Sequence, residues 1–250
     1  MPHTDVGRSE DPPGHAERPA VMGRHRTRHA LRERTALRRP QRLGELAGVN
    51  ADRAGRGAQP VGGAGVEPLV QRERDQNFHS VFITQPGSRI STLADLKGHS
   101  FAFGDVNSTS GHLMPAYYMR AAGIDPGALA KTVYTGGHDA TALAVANGKV
   151  DAGAMDELVL GNMLKSGKIV TNQAKVFYTT PPFFDYVWAA RKGLDSKLRD
   201  GFTAAFLKLD ASNAENKVLL DLLNATKYVR AEDASYDKLR QAAHAEGLLQ

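Results

Sequence analysis

The stretch SFAFGDVNSTSGHLMPAYYM, Ser100–Met119, runs from a short apolar segment through a junction of glycine and hydroxyl residues into an apolar segment with helical spacing. It reads as a buried strand (100–106), a loop, and a helix (112–124) closed by Gly123. The same unit recurs downstream. KTVYTGG (131–137) reads as a strand and DATALAVANG (139–148) as a helix with Asp139 as its N-cap and Gly148 as its stop. VDAGAMD (150–156) is the next strand and ELVLGNMLKSG (157–167) the next helix. AKVFYTT (174–180) and DYVWAAR (185–191) follow as strands around the turn PPFF, and helices are expected at 196–209, 213–224 and 236–247. Strands alternating with helices at this spacing imply an α/β fold with largely parallel sheets.

In such sheets, ligands sit beyond the carboxyl ends of the strands, where loops lead into helix N-termini. That rule selects three junctions: NSTSGH, TGGHDA and MDE. The first N–H groups of a helix lack internal partners and carry partial positive charge, so with nearby hydroxyls they cradle an anion. Ser108, Thr109 and Ser110 are the candidate cradle. A plain helix cap needs only one hydroxyl, and three in a row favour the anion. His138 follows Gly136 and Gly137, which let backbone and ligand approach closely, and it is a candidate donor to an oxyanion. His112, one turn into its helix, is expected to pack or face solvent. Glu157 and Asp185 are carboxylates that would repel a fully ionised anion. They fit a ligand carrying a proton or an amine, and would reject sulfate. Each also has a structural reading, Glu157 as a helix-start acid and Asp185 as a turn residue.

Composition divides the chain near Phe78. Residues 1–77 hold fourteen arginines and no lysine, isoleucine, phenylalanine, tyrosine or tryptophan, whereas all seventeen aromatics lie beyond them. Without such side chains the segment can build only a thin core. It is expected to be mostly disordered, with a short helix near 30–38, or to reflect the start of a GC-rich gene translated in the wrong frame. A nucleic-acid arm is the alternative reading of its arginines. With no cysteine in the chain, disulfides, thiolate metal sites, cysteine nucleophiles and a lipid-anchor cysteine are excluded. No apolar run reads as a signal peptide or a membrane span. A Ser110–His138 hydrolase is a further alternative, weakened by the lack of a G-x-S-x-G elbow or an evident orienting acid. No catalytic residue, metal site or cofactor is assigned.

LADLKGHSFAFGDVNSTSGHLMP, VYTGGHDATALAVANGKVDAGAMDE and TTPPFFDYVWAARKGLD resemble the substrate-binding proteins of phosphonate, phosphite and phosphate ABC transporters, which are type 2 periplasmic binding proteins. The resemblance runs from about Phe78 to the C-terminus. It implies two α/β lobes joined by two crossovers, a periplasmic location, and a membrane permease as partner. It also implies that Ser108, Thr109 and Ser110 bind phosphorus-bound oxygens, that His138 donates to them, and that Glu157 and Asp185 meet a protonated oxygen or the substituent on phosphorus. On this reading 78–86 is a crossover, 87–182 the second lobe, and 183–250 the C-terminal part of an incomplete first lobe. The strand at 185–191 would then have an unpaired edge, with Tyr186 and Trp188 exposed.

Overall fold

Five strands, Ser80–Thr84 (β3), Ser100–Phe103 (β4), Lys131–Tyr134 (β5), Ala152–Asp156 (β6) and Lys175–Thr179 (β7), form one sheet in the order β5-β4-β6-β3-β7. The computed structural model describes residues 65–249 and the backbone of a strand at Leu46–Val49 (β1), within a unit running from Gln41 to Gln250. The helix expected near 30–38 lies outside the described residues. β4 pairs with β5 and β6 in parallel, whereas β3 pairs antiparallel with both β6 and β7. Four of the five strands therefore run one way and β3 alone runs against them. The parallel set is linked through the helices Met114–Ala121 (α1), His138–Ala146 (α2) and Glu157–Lys165 (α3), because parallel neighbours need a crossover long enough to return the chain.

Alternation along the strands gives this sheet two apolar faces. Phe82, Phe101 and Phe103 pack with Ala116 and Met119 of α1. Val81, Ile83, Ala102 and Met155 pack with Ala142 and Val145 of α2 and Leu160 and Met163 of α3. Each fully buried phenylalanine contributes roughly 1.5–3 kcal/mol of transfer free energy, so the sheet is fixed in register by side chains on both sides.

The second sheet differs from expectation. Val66–Arg72 (β2), Val187–Arg191 (β8) and Tyr228–Arg230 (β9) join β1 in the order β1-β8-β2-β9. All three pairings are antiparallel, so the largely parallel arrangement holds for the first sheet only. β8 lies between β1 and β2 and has no unpaired edge, and Trp188 packs in tilted contacts against Phe202 and Phe206 of the helix Ser196–Leu207 (α4), ring centroids 5.7 and 5.5 Å apart. Residues 66–72, grouped by composition with the Arg-rich segment, form a central strand. It needs no aromatic residue of its own, because Val70 packs in a cluster with Trp188, Phe206, Leu220 and Tyr228. Pro68 argues against a central strand, since it cannot donate to the ladder. The register slips between Pro68 and Val70, and such irregularities are where sheets accept proline.

The crossovers are also displaced. Ser80–Thr84, read as connection, is a fully buried strand. The chain passes between sheets at 73–79 and again at 180–186. There Phe78 and Phe183 exchange both backbone hydrogen bonds at 3.0 Å in an isolated antiparallel bridge. The helix Asp237–Ala245 (α6) packs Ala242 against Phe78, Phe183 and Met114, and beyond its end Glu246 accepts from Arg120 at 2.8 Å.

Candidate functional site

Because β4, β5 and β6 are adjacent and parallel, the helices that follow them all begin at one sheet edge. The first begins with a widened turn. Ser108 is its N-cap, and its Oγ accepts from the Gly111 N–H at 2.9 Å. The Leu113 N–H then reaches back five residues to the Ser108 carbonyl, and Met114 does the same to Thr109. This is a π-turn, a form often placed at functional sites. Pro115 accounts for how it is held. In an α-helix the residue at position 115 would donate to the Gly111 carbonyl, but proline has no N–H. That carbonyl instead accepts from Gly104 N–H at 2.9 Å, which ties the end of β4 to the turn.

The hydroxyl run therefore divides its work. Ser108 caps the helix, Thr109 is partly exposed, and Ser110 is buried, its Oγ without a hydrogen-bond partner among the described residues. The N–H groups of Thr109 and Ser110 stand at the first positions of the turn, where no carbonyl of the same helix can reach them.

His138 is the first residue of α2, capped by Gly137; Asp139, expected as the cap, instead lies in the first turn. Gly136 turns the chain at φ 82°, a conformation that favours glycine. The His138 ring lies against the two glycines of the neighbouring junction. A Cβ added at Gly111 would stand 3.0 Å from His138 Cε1 and 3.2 Å from Gly104 Cα. On the other side, the Asp156 backbone N–H donates to His138 Nδ1 at 3.2 Å. A backbone N–H can only donate, so Nδ1 is the unprotonated nitrogen and the proton resides on Nε2. Thr135 and Thr141 support the loop, their hydroxyls 2.6 Å apart and each within hydrogen-bonding distance of the Phe103 and Gly137 carbonyls.

Glu157 opens α3, next to Asp156, whose Oδ1 caps that helix through Leu158 and Val159. Burial pushes the Glu157 carboxyl above the usual carboxylate range; the charges of His79 and Arg74 oppose the rise and Asp156 adds to it. Asp185 lies on the second crossover. It is buried, and its N–H donates to the Asp75 carbonyl at 3.0 Å. Its neighbours Phe183 and Tyr186 share an apolar cluster with Leu113 and Leu158, at the starts of the first and third helices. His112 packs against Phe103 and Tyr134; its Nδ1–H donates to the Val106 carbonyl and its Nε2 accepts from Tyr134 Oη.

Five contributing residues were not singled out from the sequence. Asp156 carries the N-cap pattern of an acid before an apolar helical run, and that cap aims its own N–H at His138. Gly104 and Gly111 matter through contact rather than φ, which a sequence does not display. Arg72 and Asp75 were hidden in the arginine-rich segment. Among the described residues no group of His, Cys, Asp or Glu could hold a metal ion, and no helix is long and apolar enough to cross a membrane.

Residues 55–236 match the family described as periplasmic substrate-binding proteins of phosphonate ABC transporters. The chain is 34% identical over 185 residues to a probable ABC transporter phosphite binding protein of Prochlorococcus marinus, covering 69% of this chain and 62% of the relative. It is 31% identical over 180 residues to the phosphonates-binding periplasmic protein of Escherichia coli, covering 70% of this chain and 52% of that one. The Prochlorococcus marinus protein PhnD1 in complex with methylphosphonate superposes with a TM-score of 0.67 at 31% identity, over 74% of this chain and 73% of that one. The chain thus spans between 52% and 62% of the length of these two curated relatives. On the family match and these identities, the chain belongs to the periplasmic substrate-binding proteins of phosphonate ABC transporters.

Proposed function

We propose that this chain is the substrate-binding component of an ABC importer, acting in the periplasm with a membrane permease, and that it captures a phosphorus oxyanion where the starts of α1, α2 and α3 meet. The observation that carries the reading is the buried Ser110 hydroxyl, unpartnered among the described residues, at a helix start beside His138. A buried hydroxyl without a partner is costly unless a ligand supplies one. The Thr109 and Ser110 N–H groups, the hydroxyls of Ser108, Thr109 and Ser110, and His138 Nε2–H would bind the phosphorus-bound oxygens. Glu157 and Asp185 would accept from a protonated oxygen or meet the substituent. The relatives carry phosphite, phosphonates and, for the Mycolicibacterium smegmatis protein, phosphate in their names, and the ligand class is drawn no narrower than these.

The tautomer of His138 weighs against the hydrolase alternative. A nucleophilic serine needs an imidazole nitrogen free to take its proton. With Nδ1 accepting from Asp156 and the proton on Nε2, His138 would meet a ligand as a donor rather than as a base. The nucleic-acid alternative rests on arginines that, apart from Arg72 and Arg74, lie outside the described residues.

Calorimetric titration of the full chain with phosphite, methylphosphonate, phosphate and sulfate at one ionic strength tests the proposal. Binding is expected for at least one phosphorus oxyanion and not for sulfate. Ser110→Ala is expected to weaken it about 5- to 150-fold, the range for losing a buried hydrogen bond of roughly 1–3 kcal/mol. Equal affinity for sulfate, or an unaffected Ser110→Ala, would overturn it.

A further inference from the structure

Besides the Phe78–Phe183 bridge, a side chain that the proposed site does not use joins the two crossovers. Arg72 ends β2, half-buried, and its guanidinium makes a bidentate pair with Asp75 on the first crossover, Nε to Oδ2 at 2.7 Å and Nη2 to Oδ1 at 2.6 Å. The Asp75 side chain is fully buried. Nη1 donates to the Leu223 carbonyl at 3.2 Å, after the helix Ala214–Leu222 (α5). The same guanidinium lies over the Tyr186 ring, 4.8 Å from its centroid, on the second crossover. Asp185, the residue before Tyr186, is held from the other side, because its N–H donates to the backbone carbonyl of Asp75.

Asp185 is thus gripped twice by one assembly: through the Asp75 carbonyl on its own N–H, and through the guanidinium under the ring of the next residue. We propose that Arg72 is a positioning residue for the anion site, fixing the second crossover so that Asp185 meets the ligand. The inference rests on the functional reading above and adds to it a residue that acts through Asp185. Lysine cannot replace arginine in this role, because an ammonium is a point charge that can neither pair bidentately nor stack as a plane.

The test is a double-mutant cycle on the full chain, with calorimetric affinity for phosphite and methylphosphonate as readout and circular dichroism to establish that each variant is folded. Arg72→Lys is expected to weaken binding about tenfold, equivalent to about 1.4 kcal/mol. In an Asp185→Asn background the same substitution is expected to change affinity less than about twofold, since the group it positions is gone. A general loss of stability would weaken both backgrounds alike, and that additive result would overturn the proposal, as would an unchanged affinity in Arg72→Lys. If Arg72→Lys does not fold, Tyr186→Leu carries the same cycle, removing the ring and keeping the ion pair; additivity there overturns the proposal equally. Failure of the unsubstituted chain to bind any phosphorus oxyanion would instead refute the functional reading, and is distinguished by that control alone.

Discussion

Replacing Gly111 by alanine is the sharpest test of how His138 is placed. The added Cβ would lie 2.9 Å from Ser108 Oγ, 3.0 Å from His138 Cε1 and 3.2 Å from Gly104 Cα. Ordinary carbon contacts begin near 3.4 Å, so the ring and the turn must separate by at least about 0.4 Å. The ring cannot retreat freely, because Asp156 N–H holds Nδ1 from behind. Overpacking of this kind costs roughly 1–3 kcal/mol of stability. On the proposed reading binding would suffer separately: a displaced Nε2–H would lose its hydrogen bond to a charged ligand, worth roughly 1.5–3 kcal/mol, or about 10- to 150-fold in affinity. Gly104→Ala is the internal control. Its Cβ would stand 3.4 Å from Gly111 Cα and 3.7 Å from His138 Nδ1, which nearly fits. Neither glycine has positive φ, so contact alone separates the two. Calorimetry with the tightest phosphorus oxyanion should show Gly111→Ala at least about tenfold weaker and Gly104→Ala within about threefold of the parent. Equal losses in the two variants would refute the reasoning.

Two further predictions concern pH. Asp95 accepts from the N–H and hydroxyl groups of Ser91 and Thr92, which lower its carboxyl to about 2. A depressed pKa stabilises the fold above the unfolded value and loses that stabilisation as pH falls through the folded value. Asp95→Asn should therefore flatten the decline in Tm between about pH 4 and pH 2, and an unchanged acid limb would contradict the assignment. Glu157 has the opposite sign. Burial raises its pKa, so the favourable contribution is present below the unfolded value and is lost as pH rises through the folded one. Thermal melts should show Glu157→Gln gaining on the parent as pH rises from 4 to 7, and a constant difference would exclude a raised carboxyl pKa there.

The helices and parallel strands of the first sheet were legible because their patterns are local. Gly123 and Gly148 end α1 and α2 at φ 76° and 64°, as the sequence predicted from their positions after apolar helical runs. What stayed hidden depends on partners distant in the chain. Val66–Arg72 carries Pro68 and no aromatic residue, and its burial is supplied by Trp188, Phe206 and Tyr228, more than a hundred residues away. Ser80–Thr84 looked like connection because a five-residue strand buried on both faces has no alternation to reveal it. At the candidate site, residue types singled out three junctions that the structure brings to one sheet edge, but not Asp156 N–H as the group that decides which nitrogen of His138 carries the proton.

The arrangement of donors and acceptors narrows what the site can hold on the proposed reading. The strand-end side presents donors: the Thr109 and Ser110 N–H groups, the Ser110 hydroxyl, and an imidazole locked as an Nε2–H donor. Facing them in this reading are two carboxylates, Glu157 at the start of α3, its pKa raised by burial, and Asp185 on the second crossover, gripped by the Arg72 assembly. A tetrahedral dianion bare on every side would satisfy the first set and be repelled by the second. A neutral molecule would leave the first set without the charge it favours, since N–H donors at helix starts favour negative charge. A ligand with ionised oxygens on one face and a proton or uncharged substituent on the other satisfies both. Phosphite, a monoanionic phosphonate and protonated phosphate have that polarity and sulfate lacks it, so discrimination would follow from where protons sit on the ligand more than from its size.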